Sequence, residues 1–151
     1  MTRISELLPS EAVKLELEEK DKVAVIRELA RPLVDDGTIT DEKTFFEAIL
    51  RRENIESTGI GLGVAIPHAR AAGVTRTALA FGRSETGIDF GSLDGKPCHL
   101  VFLIASPEDR KAEYIITLAR VSKLLRRDDV RSELLKAASA DDIAAILDRN
   151  E

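Results

Sequence analysis

Residues 99–105 read His-Leu-Val-Phe-Leu-Ile-Ala, a near-continuous apolar run. It is far shorter than the roughly 20 residues a membrane helix needs. Its lack of polar alternation, with Val, Ile and Phe in the mix, predicts a central strand buried on both faces. Such a strand must be covered by a layer on each side. The remaining pattern supplies helices for that purpose.

From Lys20 to Val34 the apolar residues Val23, Ile26, Leu29, Ala30 and Leu33 follow helical spacing. Asp35-Asp36-Gly37 ends that helix, with Gly37 free to take the left-handed C-terminal position. Asp41 caps a second helix whose Phe45, Phe46, Ile49 and Leu50 share a face. A third helix after Ser106-Pro107 carries Tyr114, Leu118, Val121 and Leu125 on one stripe. Shorter helices are predicted near 128–137 and 141–149, the last capped by Ser139. Val13, Leu15 and Leu17 alternate with charged residues as a short strand, and Thr77–Ser84 reads as another. Gly87-Ile88-Asp89-Phe90 and Asp94-Gly95 read as turns. The expectation is one domain over residues 1–151: an α/β fold with a mixed, mostly buried β-sheet flanked by helices on both faces.

Residues 54–76 are different: weakly periodic and glycine-rich. Gly59, Gly61 and Gly63 recur at every second position, where close backbone approach or positive φ is the natural reading. Backbone N–H groups in such a loop make an anion site, and Ser57 and Thr58 add hydroxyls. Arg52 adds a permanent cation whose planar fork suits phosphate. Val64-Ala65-Ile66 leads to Pro67, which fixes φ just before His68. Imidazole is nucleophilic near neutral pH, and its second nitrogen can be held by a carbonyl or carboxylate. The loop is not a P-loop, because no Gly-Lys-Ser or Gly-Lys-Thr follows. It also lacks the spacing of a dinucleotide-binding fingerprint.

The formal net charge of −5 and the absence of tryptophan argue against a nucleic-acid binder. One cysteine, Cys98, excludes an internal disulfide framework and a cysteine-rich zinc site. With no leader or membrane segment expected, the cytoplasm is the default location.

These residues resemble the enzyme IIA domain of the fructose/mannitol family (type 2) of the bacterial sugar phosphotransferase system, nearest to its stand-alone nitrogen-regulatory branch. The resemblance rests on Arg52-Glu53, Ser57-Thr58-Gly59-Ile60-Gly61 and Gly63-Val64-Ala65-Ile66-Pro67-His68, and extends over nearly the whole chain. It implies that His68 takes a phosphoryl group on Nε2 from an HPr-type carrier protein. It implies delivery to a cysteine of a IIB domain, or use of the phosphorylation state to regulate a target protein. Arg52 would hold the phosphoryl group, and no metal or organic cofactor would be needed. Many family members carry a second histidine where Tyr114 stands here, and a tyrosine donates a hydrogen bond but carries no positive charge. That difference leans toward a regulatory role.

Simpler roles stand beside these. His68 alone could be a structural histidine at a strand end, and Arg52 a helix-end arginine. His99 is expected to hydrogen-bond within its strand, Cys98 to pack, Glu53 to pair inside the domain, and Tyr114 to pack on its helix. A rival to the phosphocarrier is a non-transferring binding protein whose docking ignores phosphorylation.

Overall fold

A computed structural model describes residues 2–151. Six strands form one mixed sheet: β1 (Val13–Lys14), β2 (Gly59–Gly61), β3 (Val64–Ala65), β4 (His68–Ala71), β5 (Ala78–Ile88) and β6 (Cys98–Pro107). Five helices accompany it: α1 (Lys22–Asp35), α2 (Glu42–Ile55), α3 (Lys111–Leu125), α4 (Asp128–Lys136) and α5 (Ala140–Asn150). Two short 3-10 turns, Ile4–Leu7 and Ser10–Ala12, precede β1.

The sheet order is β1-β5-β6-β3-β2, with β4 also on β6. Strand β6 is the long apolar run and lies at the centre, buried from Leu100 to Pro107. Because side chains alternate across a strand, Leu100, Phe102 and Ile104 cannot share a face with Val101, Leu103 and Ala105. All six are buried, so the sheet is covered on both sides. Helix α1 packs against β5 and β6, α2 against β4, and α3 and α4 against β6. This is the α/β architecture expected from the sequence.

Helix boundaries follow local chemistry. The Asp21 carboxylate accepts from the Ala24 N–H and starts α1 two residues later than the periodicity suggests. Asp41 accepts from the Thr44 N–H at α2, and Ser139 from the Asp142 N–H at α5. Gly37 sits at φ 84°, in the left-handed region that a side chain disfavours.

Two expectations need correction. The strand expected through Leu17 shrinks to Val13–Lys14, paired in parallel with Phe81–Gly82 of β5. Beyond it, Leu17 still donates its N–H to the Arg83 carbonyl, and its side chain is buried over Gly82. The Gly87-Ile88 turn is instead the far end of β5, where Ile88 pairs with Cys98 after an irregularity in the ladder. Gly87 supplies a positive φ of 93° close against Pro97.

The pairing of β5 with β6 sets Phe81 opposite Phe102, with ring centroids 5.0 Å apart. Both rings are fully buried. Replacing Phe102 with Ala is expected to cost about 3–5 kcal/mol in urea-melt stability, from lost burial plus an unfilled cavity.

Candidate active site

The segment Val64–Ala71 runs parallel along one edge of β6, but not continuously. Val64 and Ala65 pair with Leu100 and Val101, and His68 resumes the register opposite Ile104. Ile66 and Pro67 fall between the two strands. Proline has no N–H to offer a ladder. Its carbonyl instead accepts from the Ile104 N–H at 3.0 Å, and the Ile66 N–H turns to the Thr58 carbonyl at 3.1 Å. The interruption leaves the Ile66 carbonyl beside the His68 ring, 2.5 Å from Nδ1.

A carbonyl oxygen can only accept, so Nδ1 carries the proton. The neutral ring therefore keeps its lone pair on Nε2. His68 is buried, and burial pushes its pKa below the ordinary histidine value. The hydrogen bond donated to the Ile66 carbonyl opposes that shift, the Arg52 cation reinforces it, and Glu53 opposes it. The ring is neutral at pH 7, the form a nucleophile requires.

His68 borders an open cavity of about 460 Å³. Arg52 and Gly59 line it from one side, and Leu93, Ile115 and Leu118 from others. Arg52 lies in the last turn of α2 and donates through Nη1 to the Glu56 carbonyl at 2.7 Å, which aims it across the helix end.

The hydroxyl loop is organised around Glu53. This carboxylate is 6% exposed, and it is held by Lys22 Nζ at 2.9 Å, by the Thr58 hydroxyl and by the Thr58 N–H. Glu53 thus pairs within the domain, as expected. Ser57 donates its hydroxyl to the Phe90 carbonyl and accepts from the Gly59 N–H at 3.0 Å. Ser57 and Thr58 both line the cavity, with their hydroxyls engaged by the Phe90 carbonyl and Glu53. Internal partners hold the loop rigid.

The three glycines also separate. Gly59 lines the cavity, and a Cβ there would come within 2.2 Å of Ser92 Oγ. Gly61 and Gly63, at φ 86° and 76°, shape the β2–β3 turn. Gly63 lies beside the His99 ring, and its carbonyl accepts from His99 and Leu100 N–H. They do not line the cavity, and the pattern reflects tight turning as much as access to an anion. His99 bonds the Ser84 carbonyl through Nδ1 at 2.8 Å, and Cys98 is buried beside Ser92, both as expected.

Tyr114, in the first turn of α3, lies beside His68 with ring centroids 5.8 Å apart. It is half-buried. Sequence reading missed Arg70. It stands two residues after His68 on β4, and its guanidinium lies 5.6 Å from the centre of the Tyr114 ring. The period-two rule puts residues 68 and 70 on one face, a signal available in the sequence once β4 is known.

Among the described residues, no group of three or more His, Cys, Asp or Glu could hold a metal ion. Among them, too, no helix is long and apolar enough to cross a membrane.

The buried, interrupted strand with a neutral histidine at its break belongs to a known class. Residues 6–150 match the family model described as "Phosphoenolpyruvate-dependent sugar phosphotransferase system, EIIA 2". The chain is 46% identical over 149 residues to a fructose-specific EIIABC component of Bacillus subtilis, covering 99% of this chain but 24% of that protein. It is 36% identical to a fructose-specific EIIA component of Haloferax volcanii, covering 97% of this chain and 96% of that one. A nitrogen regulatory protein of Bradyrhizobium diazoefficiens is 35% identical, with 95% and 94% covered. The crystal structure of nitrogen regulatory protein IIA-Ntr from Neisseria meningitidis superposes with a TM-score of 0.87 at 33% identity, covering 95% of this chain and 98% of that one. The chain belongs to the type 2 enzyme IIA family of the phosphotransferase system. Its relatives include both sugar-specific components and nitrogen regulatory proteins.

Two outcomes test this geometry. Below the ordinary histidine pKa of about 6.5 the unfolded chain binds a proton that the folded chain resists. Stability contributed by neutral His68 is therefore present above that pH and lost as pH falls toward the depressed folded value. Urea midpoints of the wild type should fall on acidification through that window more steeply than those of His68→Asn. Lys22→Met should cost about 1–3 kcal/mol in the same melts, because it leaves the Glu53 carboxylate short of a partner.

Proposed function

We propose that His68 is a phosphoryl acceptor and donor, and that the chain works as a phosphocarrier. The observation that carries this reading is the Nδ1–H bond to the Ile66 carbonyl, which leaves Nε2 unprotonated on a ring that borders the Arg52-lined cavity. In the transfer, the Nε2 lone pair forms a bond to phosphorus. The phosphorus–nitrogen bond of a histidine-phosphorylated HPr-type carrier breaks, and its electron pair returns to that carrier's imidazole. Arg52 offers a fixed cation to the phosphoryl oxygens, and the rigid loop at Thr58 and Gly59 needs no rearrangement as charge arrives. The group then passes to a cysteine thiolate of a IIB domain. Such a carrier works in the cytoplasm, where its phosphorylated donor is made.

A second use of the same chemistry has its own support. The relatives include proteins named as nitrogen regulators, and Tyr114 places a neutral phenol beside His68. Phosphorylation adds nearly two negative charges at the mouth of a cavity whose wall includes the exposed residues Leu93 and Ile115. That change of charge can switch the binding of a regulatory target.

Incubation with phosphoenolpyruvate, enzyme I and an HPr-type carrier should put acid-labile phosphate on the wild type and none on His68→Ala. Arg52→Gln should slow labelling by about a hundredfold. An unlabelled wild type would defeat the carrier reading and favour a binding protein indifferent to phosphate.

A further inference from the structure

Resting on the carrier reading, the geometry points to Arg70 as a positioning residue that acts on the phosphoryl site through Tyr114. We propose that it holds the Tyr114 ring against His68 so that the phenol O–H donates to a phosphoryl oxygen on Nε2.

Three observations converge on this. First, Arg70 is fixed at both ends. Its backbone is part of β4, in register with Ser106 of β6, and its Nη1 donates to the Glu108 carbonyl at 2.7 Å. Glu108 lies in the connection that leads into α3, so Arg70 ties the strand bearing His68 to the entrance of the helix bearing Tyr114. Second, the guanidinium lies over the Tyr114 ring, a cation–aromatic contact that favours one placement of the ring. Third, Tyr114 in turn lies beside His68 at 5.8 Å between ring centroids. The chain of contacts is Glu108 carbonyl, Arg70, Tyr114, His68, and each link connects a different segment.

The charges fit the role. Arg52 and Glu53 act on His68, whereas Arg52 and Arg70 both act on Tyr114. Burial pushes the phenol pKa up, and the two cations oppose that shift. Tyr114 therefore keeps its proton at neutral pH and remains a donor. The two cations stabilise charge drawn toward the phenol oxygen and so offset part of what burial costs it as a donor to a developing dianion.

Tyr114 is the chain's one tyrosine and there is no tryptophan, so near-ultraviolet absorbance of the phenolate reports this residue alone. Arg70→Gln should move that titration upward, and Arg70→Lys, which keeps the charge, should leave it near the wild-type position. An unmoved titration in Arg70→Gln would overturn the proposal without touching the carrier reading.

The second measurement is the rate of phosphoryl uptake from phosphorylated HPr-type carrier by the intact chain. Tyr114→Phe should slow it about tenfold, the loss of one hydrogen bond to a charged group. Arg70→Gln should slow it about three- to tenfold, with Arg70→Lys restoring part of the rate. The double variant should be no slower than Tyr114→Phe, because Arg70 acts through the phenol. Independent, multiplying effects would overturn the proposal, as would a wild-type rate in Tyr114→Phe. If the wild type takes up no phosphate at all, the carrier reading fails and this inference fails with it.

Discussion

Strand β6 forms backbone pairs along both edges and buries side chains on both faces, and the other elements take their positions from it. Its antiparallel contact with β5 aligns Phe81 against Phe102 at the centre of the core. Its other edge receives β3 and β4 in parallel. A buried strand tolerates few unpaired backbone groups, so the partner on that edge is held in register except where its own sequence forbids it. Proline 67 is the point where it does. The ladder opens for two residues, and the Ile66 carbonyl is taken by a histidine ring rather than by a backbone N–H.

The His68 imidazole is thus placed by a strand paired to the centre of the sheet. His68 begins a strand whose neighbour is the core of the sheet, and its orientation is set by a carbonyl only two residues away. The rest of the site is brought to it by separate elements. Helix α2 ends with Arg52 toward the cavity, the Glu53–Lys22–Thr58 cluster anchors the loop that follows, and α3 begins with Tyr114 beside the ring. A buried carboxylate such as Glu53 would be costly alone. With a lysine and two donors from Thr58 around it, its burial is offset, and it binds α1, α2 and the site loop together.

Rigidity also suits the chemistry. Under the proposed carrier role, a phosphoramidate on His68 has to survive until its partner arrives, and its phosphoryl group has to leave without a large rearrangement. The Ser57 and Thr58 hydroxyls are already engaged with the Phe90 carbonyl and Glu53. The open cavity, with exposed Leu93 and Ile115 on its wall, leaves room beside the His68 ring.

Much of this was legible in the sequence, and for identifiable reasons. Unbroken apolarity marked β6, because burial on both faces leaves no polar alternation. Helical spacing and capping residues such as Asp41 and Ser139 marked the helices, because those signals act within one turn. The Pro67-His68 pair and Arg52 marked the candidate site, since their residue types carry specific chemistry. Other features depended on contacts between distant segments. Only the folded chain showed that the Ser57 and Thr58 hydroxyls bond the Phe90 carbonyl and Glu53, and that Gly61 and Gly63 serve a turn beside His99. Likewise, Gly87 ends a strand because Pro97 and Cys98 meet it there. Arg70 acquires meaning only when β4 and α3 come together, because its partners lie 38 and 44 residues away along the chain. The sequence by itself determined which strand is the core and which histidine follows the glycine-rich segment and Pro67. Tertiary structure decided which nitrogen of that histidine is free and which side chains surround it, because those depend on a ladder interruption and on helix ends that no local pattern specifies.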